Sequence, residues 1–277
     1  MAGPTIRRRQ LGAALRQLRL DTDHTREEIA LVLGCSPTKV TYLESGRNVI
    51  GKTELIVLLQ HYGQASKLPA LEELRAEAGK RGWWSTARLP EWLAAYVGLE
   101  TEASSVRCFE TELIPGLLQT EAYAREIHRL RGYLNADDLE RRVQARLRRQ
   151  ERLTADDPLQ LSAVLSEAAL ARCARTPGVA AEQFRQFLNW AQRPNIEIRV
   201  LPFDVGLHPG MSGAFTLLSF PDSLLPDAGW QEYALGGHII DDASDVAFLA
   251  TLYDELRGQA LGCDESLTML AQLAEKT

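Results

Sequence analysis

The chain has 277 residues, 45% of them hydrophobic and 25% charged, with a net charge of −6. This is a globular composition with room for two domains, and no apolar run nears the ~18 residues of a membrane span, so no membrane association is expected. No apolar stretch follows the basic MAGPTIRRRQL, and the four cysteines (Cys35, Cys108, Cys173, Cys263) lack CxxC pairing and metal-ligand spacing. A chain without a signal peptide, with reduced thiols, no metal and a cytoplasmic location is therefore expected.

Residues 1–63 hold nine Lys/Arg against six Asp/Glu, so a head of +3 sits on a body of −9. That asymmetry suits a module that meets a polyanion on one side. Four helices are predicted here. The first carries Leu11, Ala14, Leu15 and Leu18 at i, i+3, i+4 and i+7. The Arg7-Arg8-Arg9 run before it reads as a solvated tail or as an arm for the minor groove. The second helix starts at Thr25, which forms a capping box with Glu28, and ends at Gly34. The third is capped by Ser36, takes Pro37 at its first position and stops at Gly46. Its Val40 and Leu43 face inward, while Thr38, Lys39, Thr41, Tyr42 and Ser45 are left outside. The fourth carries Leu55, Leu58, Leu59 and Tyr62 and ends at Gly63.

Two short helices joined by a glycine turn inside a small bundle make a helix-turn-helix. The N-terminal half of its second helix would face base edges in the major groove. Thr38 and Tyr42 are candidates for bases, and Lys39 and Thr41 for bases or phosphate. Arg26, with nearby N–H groups at a helix start, is a candidate for phosphate, as are Arg47 and Lys52. Ser36 and Pro37 complete the set. The competing reading is a helical hairpin that binds protein.

Leu68 to Ala78 reads as a helix, and GKRGWWSTARLPEWL marks a change of module. The predicted layout is a DNA-binding domain over 1–66, a helical linker over 67–89 and an α+β domain over 90–277. Trp83 and Trp84 either anchor a linker helix to the next domain or stack on a base or ligand. RCFETEL (107–113) predicts a strand, PGLLQTEAYAREIHRL a turn and helix, and Asp137 to Leu153 a basic helix. Leu139, Val143 and Leu147 form its stripe. Its arginines (Arg141, Arg142, Arg146, Arg148, Arg149, Arg152) suit a solvated face, phosphate or a subunit interface. LQLSAVLSEAAL reads as strand then helix. IEIRVLPF, GAFTLLSF and YALGGHIID read as strands, and helices follow over Ala243–Gln259 and Glu265–Glu275. The sheet should have about four or five strands.

LRQLR at 15–19, TREEIALVLGCSPTKVTYLESGR at 25–47 and the next helix resemble the Xre/Cro type of helix-turn-helix. The resemblance implies a lambda-repressor-like all-α bundle in which Arg26, Pro37, Thr38 and Tyr42 contact DNA. It also implies that Glu44 and Gly46 form the usual helix ending. Asp23-His24 departs from the Gly-Leu common there. Asp tolerates left-handed backbone well, whereas His24 fills a leucine site less well.

VGLETEAS, ELIPGLLQTEAYA, RVQARLRRQ, LSEAAL, RPNIEIRVLPF, GAFTLLSF and ALGCDESLTML resemble a large domain of unknown function. It is carried by the WhiJ-like, antitoxin-like regulators of actinobacteria. The resemblance implies a nucleoid-associated transcriptional regulator of double-stranded DNA operators, often encoded beside a very small partner protein, with no cofactor.

Glu167, His208, Glu232, His238, Asp241 and Asp242 are the polar candidates for an enzyme. No GxSxG, Walker lysine or HExxH accompanies them, so catalysis is not expected. His208, Gly210 and Ser212 in GLHPGMSGAF could instead cradle a ligand. The expected function is a homodimeric regulator whose larger domain senses a small-molecule effector or a small protein. The alternative is an antitoxin-like module that sequesters that protein, with DNA binding secondary.

Overall fold

The computed structural model describes residues 4–80, 82–130, 132, 134–221 and 226–277. They form two compact units that divide after Ser85. Among the described residues, no helix is long and apolar enough to cross a membrane, and no group of His, Cys, Asp and Glu is placed to hold a metal ion.

Unit 1 is all-α. Its helices are α1 (Pro4–Asp21), α2 (Arg26–Leu33), α3 (Pro37–Glu44), α4 (Lys52–His61) and α5 (Leu68–Ala78). The α1 stripe of Leu11, Leu15 and Leu18 packs with Ile29, Val40, Leu43, Leu55 and Leu59 in one buried core. The local signals act as their chemistry dictates. Thr25 and Glu28 cap α2 reciprocally, Gly34 is left-handed at φ 62°, and the Ser36 hydroxyl accepts from the Lys39 N–H with Pro37 at the first turn. Asp23 takes the left-handed backbone expected of it, at φ 56°. His24 meets His61 across 3.1 Å between their Nε2 atoms rather than filling an apolar site.

Two expectations change. The Arg7–Arg9 run is neither tail nor arm but part of α1, because the apolar stripe extends back to Ile6, which is buried. The Leu68–Ala78 helix belongs to the head rather than to a linker. Its Leu71 and Ala78 join the head core, and Arg8 Nε donates to the Ala78 carbonyl at 2.8 Å. The end of α3 meets α1 backbone to backbone. A Cβ on Gly12 would lie 2.6 Å from the Glu44 carbonyl oxygen, and one on Gly46 (φ 72°) would lie 2.8 Å from the carbonyl of Arg8. Only glycine permits that approach.

Unit 2 is α+β. In chain order it contains α6 (Glu91–Glu102), β1 (Ser105–Glu110), α7 (Glu121–Leu130), α8 (Ala136–Gln150), β2 (Gln160–Ser166), α9 (Glu167–Ala174) and α10 (Ala180–Trp190). It continues with β3 (Ile196–Leu201), β4 (Phe215–Ser219), β5 (Ala228–Tyr233), β6 (Gly236–Ile240), α11 (Ala243–Gln259) and α12 (Cys263–Lys276). The sheet is six-stranded and mixed, in the order β3-β2-β1-β4-β5-β6. The strand beyond the expected four or five is β5. Its AGWQEY buries three residues in a row and then exposes two, so no alternation announces it.

Strands β3, β2 and β1 run parallel, and β4, β5 and β6 are antiparallel. The change of pattern falls at β1. On one face of the sheet Phe109, Phe215 and Leu217 pack against Val246, Leu249, Tyr253 and Leu256 of α11. Register places Cys108, Thr216 and Trp230 in a row on the other face, with Glu110 and Glu232 two residues further along their strands.

Candidate nucleic-acid interface

The recognition candidate α3 is anchored by a buried charge cluster. Glu44, its last residue, accepts from Arg19 Nε at 2.5 Å and Arg19 Nη2 at 3.1 Å. Arg19 Nη1 donates onward to the His24 carbonyl at 2.8 Å. Arg26 Nε reaches the second Glu44 oxygen at 3.0 Å. Arg19 and Glu44 are 9% and 5% exposed in their side chains, so this is an interior pair. It ties α1, the turn after it, the start of α2 and the end of α3 together. The angle of α3 therefore rests on one carboxylate that the sequence marked only as a helix ending.

The outward face of α3 carries the predicted set in a single row. Ser36, Pro37, Thr38, Thr41 and Tyr42 are exposed, as are Arg47 and Lys52 beyond its end. Among the described residues, neither the Thr38 nor the Tyr42 hydroxyl has a hydrogen-bond partner. Thr41 Oγ1 donates back to the Pro37 carbonyl at 3.2 Å, and the Ser36 hydroxyl is occupied as a cap. Arg47 lies over the Tyr42 ring with its guanidinium carbon 5.4 Å from the centroid. These two contacts, assigned separately from sequence, are thus coupled, because the cation holds the ring.

Two assignments are adjusted by the geometry. Lys39 Nζ is held by Glu54 at 2.5 Å, a pairing fifteen residues apart that local spacing could not reveal. That bond lowers the Glu54 carboxyl and raises the Lys39 ammonium from their ordinary values. Lys39 must leave Glu54 before it can reach phosphate. At the start of α2, the N–H groups of Thr25 and Glu28 are used by the capping box. Arg26, the phosphate candidate there, has its Nε committed to Glu44 at 3.0 Å and a side chain 40% exposed. Lys52 keeps only a loose 3.9 Å contact with Glu72, so its ammonium is available.

Residues 10–74 match a helix-turn-helix domain family. Residues 93–272, well over half of the chain, match the Domain of unknown function (DUF5753). The chain belongs to the DUF5753 family. No curated protein and no solved structure matches it. The helix-turn-helix match spans most of α1 through most of α5, which agrees with the five-helix core of unit 1.

The DUF5753 region contains a cavity of about 450 Å³, and the ligand candidates drawn from sequence do not line it. His208 packs edge-on against Phe109 at 5.8 Å. Gly210 is buried where a Cβ would come within 2.5 Å of the Phe109 ring, so it closes the core instead of cradling a ligand. Ser212 is exposed on the same loop. Trp83 and Trp84 meet edge to face at 6.1 Å in a short turn, Trp83–Thr86. Of the polar groups weighed for catalysis, Glu167 accepts the Phe203 N–H and Asp242 caps α11. Glu232 lines the cavity. Sequence reasoning missed Tyr96, Glu110 and Gln119, which line it together with Arg146 and Arg149, and Glu100, which pairs with Arg149 behind it.

The basic segment of α8 and the turn after it is also reassigned. Arg149 is buried against Glu100, Arg141 pairs with Asp138, and Arg152 donates to the Asp157 and Ala103 carbonyls. These arginines hold unit 2 together and do not form one solvated stripe.

Proposed function

We propose that the chain is a sequence-specific transcriptional regulator. It reads DNA with the exposed row of α3, and its DUF5753 domain sets the arrangement and response of two such heads in a homodimer. The observation that carries this reading is the combination of an exposed Thr38–Tyr42–Arg47 row with an inner face locked by Val40, Leu43 and Glu44. A rigid helix with unsatisfied polar tips is what base reading needs. One small head contacts few base pairs, which favours paired heads on half-sites about one helical turn, ~34 Å, apart. An effector would act by favouring one arrangement of the heads over another. We assign the DUF5753 domain no catalytic role and the chain a cytoplasmic, nucleoid-associated setting. A small protein encoded nearby is a further candidate partner.

Sequencing of genomic fragments retained by the purified chain tests this. A palindromic motif is expected. Thr38→Ala and Tyr42→Ala should each lose about 1–3 kcal/mol of discrimination between bases. Arg47→Ala should weaken binding to all sequences and reduce the salt slope by about 1. Because its guanidinium steadies the Tyr42 ring, Arg47→Lys should restore the salt slope more fully than the base preference. Retention of the motif in a triple Arg26, Thr38, Tyr42 alanine variant would exclude α3 as the reading helix. Capture of a small protein without any change in DNA occupancy would favour the antitoxin-like alternative.

A further inference from the structure

The two edges of the unit 2 sheet are finished differently. At the β3 edge, both backbone groups of Val200 are taken by the segment that leads into α12. Its N–H donates to the Ser266 hydroxyl at 3.0 Å, and its carbonyl accepts the Leu261 N–H at 2.9 Å. At the opposite edge, β6 pairs with β5 and with no other strand.

The register fixes which groups of β6 stay open. Ala234 and Leu235 form a two-residue turn that closes on Tyr233 and Gly236. Hydrogen-bonded pairs alternate along an antiparallel ladder, so Gly236, His238 and Ile240 spend their backbone groups on β5. Gly237 and Ile239 turn theirs outward, and among the described residues no hydrogen bond reaches them. Sheet proteins commonly blunt such an edge with lysine, proline, a bulge or a charge. The strand GGHII has none of these. Its register against β5 is unbroken, and its one titratable side chain is the exposed His238. Tyr233 is 57% exposed, with its ring 6.2 Å from that of His238, and Leu235 at the turn is 91% exposed. Helix α6 packs on the Trp230 side of this hairpin, where Trp92 lies against Trp230 and Gly236, and it bonds to neither outward residue.

A strand laid antiparallel on this edge completes it, and three features select a second copy of the chain. First, the closed β3 edge cannot receive β6 of a neighbour. Growth into a fibre is therefore blocked, and β6 on β6, which closes about a two-fold axis, is what remains. Second, pairing centred on His238 sets Gly237 opposite Ile239 of the second copy, and the reverse. Every outward N–H and C=O then finds its partner. Third, the same register opposes no like charges beyond the strand, since Asp241 meets Leu235 and Asp242 meets Ala234. Tyr233 and His238 of both copies then gather in one aromatic cluster across the axis.

We propose that two copies of the chain join through β6, antiparallel about a two-fold axis at His238, so that their sheets run on as one. This locates the homodimer invoked above, and it rests on the DNA reading only for its use. The contact is short, so the dimer in free solution is weak, and a palindromic operator that holds two heads strengthens it.

Sedimentation equilibrium of the full chain without DNA tests the surface. A reversible monomer–dimer equilibrium is expected, with no larger species. Ile239→Pro removes an outward N–H that β5 does not use, and should weaken the dimer about a hundredfold. His238→Asp and His238→Lys each set like charges against each other at the axis, and each should weaken self-association about fivefold. Mixed in equal amounts, those two chains should form heterodimers in preference to either homodimer, as read by native mass spectrometry. That preference arises only if residue 238 faces its own copy, and it carries the test should Ile239→Pro fail to fold. A chain that stays monomeric at high micromolar concentration overturns both the surface and the homodimer, whatever its affinity for a single half-site. A dimer unmoved by Ile239→Pro, or a random mixture of the two His238 variants, overturns the surface alone. Assemblies larger than a dimer would show that the β3 edge also pairs, and would overturn the two-fold closure.

Discussion

Glu44→Ala is expected to cost unit 1 about 3–5 kcal/mol and to abolish DNA binding with it. Removing one partner of an interior ion pair strands the other charge away from water, which is among the largest single-residue penalties available to a small domain. Here the stranded group is Arg19, which donates through Nε and Nη2 to Glu44 and through Nη1 to the His24 carbonyl. The same change frees Arg26 and unties the end of α3. Glu44→Gln keeps the shape and one acceptor, and should fall between Ala and wild type. By contrast, Glu54→Gln, which breaks the half-exposed Lys39 pair, should leave stability nearly unaltered. Circular-dichroism melts of the full chain, followed beside operator binding, check both. A Glu44→Ala chain with a wild-type melt would mean that Arg19 reaches solvent and that α3 is held by apolar packing alone.

Arg149→Met should cost unit 2 a comparable ~3–5 kcal/mol, because it strands Glu100, which is 2% exposed and also accepts from the Tyr96 hydroxyl at 2.7 Å. The double change Arg149→Met, Glu100→Leu should recover part of that loss, since two apolar groups of similar volume remove both charge-desolvation penalties together while the Tyr96 hydroxyl loses its acceptor. A double-mutant cycle read by denaturant unfolding measures the coupling. Equal losses in the single and double variants would show that packing around α6 and α8, not charge, sets the cost. Arg146 is a neighbour in this cluster, so the Met variant should also loosen the cavity wall.

The features of unit 1 that were legible in sequence are those whose causes lie within a few residues. Thr25 with Glu28, Gly34, and Ser36 with Pro37 each satisfy or terminate their own helix, so their spacing carries the whole argument. The outward row of α3 follows from helical period once Val40 and Leu43 are known to face inward. In unit 2, strands with alternating burial such as β3 announce themselves, whereas β5 does not because its burial is continuous and then absent. The glycine-rich loop at Gly210 misled because glycine serves close packing against Phe109 as readily as it serves a ligand.

By itself, then, the sequence determined a capped helix-turn-helix head, the outward face of its third helix and an α+β body. These follow from backbone satisfaction and apolar periodicity, which are local. Only the tertiary structure decided that Glu44 clamps Arg19 and Arg26, that Glu54 holds Lys39, and that Arg47 covers Tyr42. It alone gathered Arg146, Gln119, Glu110 and Trp230 around one cavity. The physical reason is that desolvation and charge pairing act between groups close in space. The members of each such cluster come from different helices and strands, whose meeting no short-range pattern encodes.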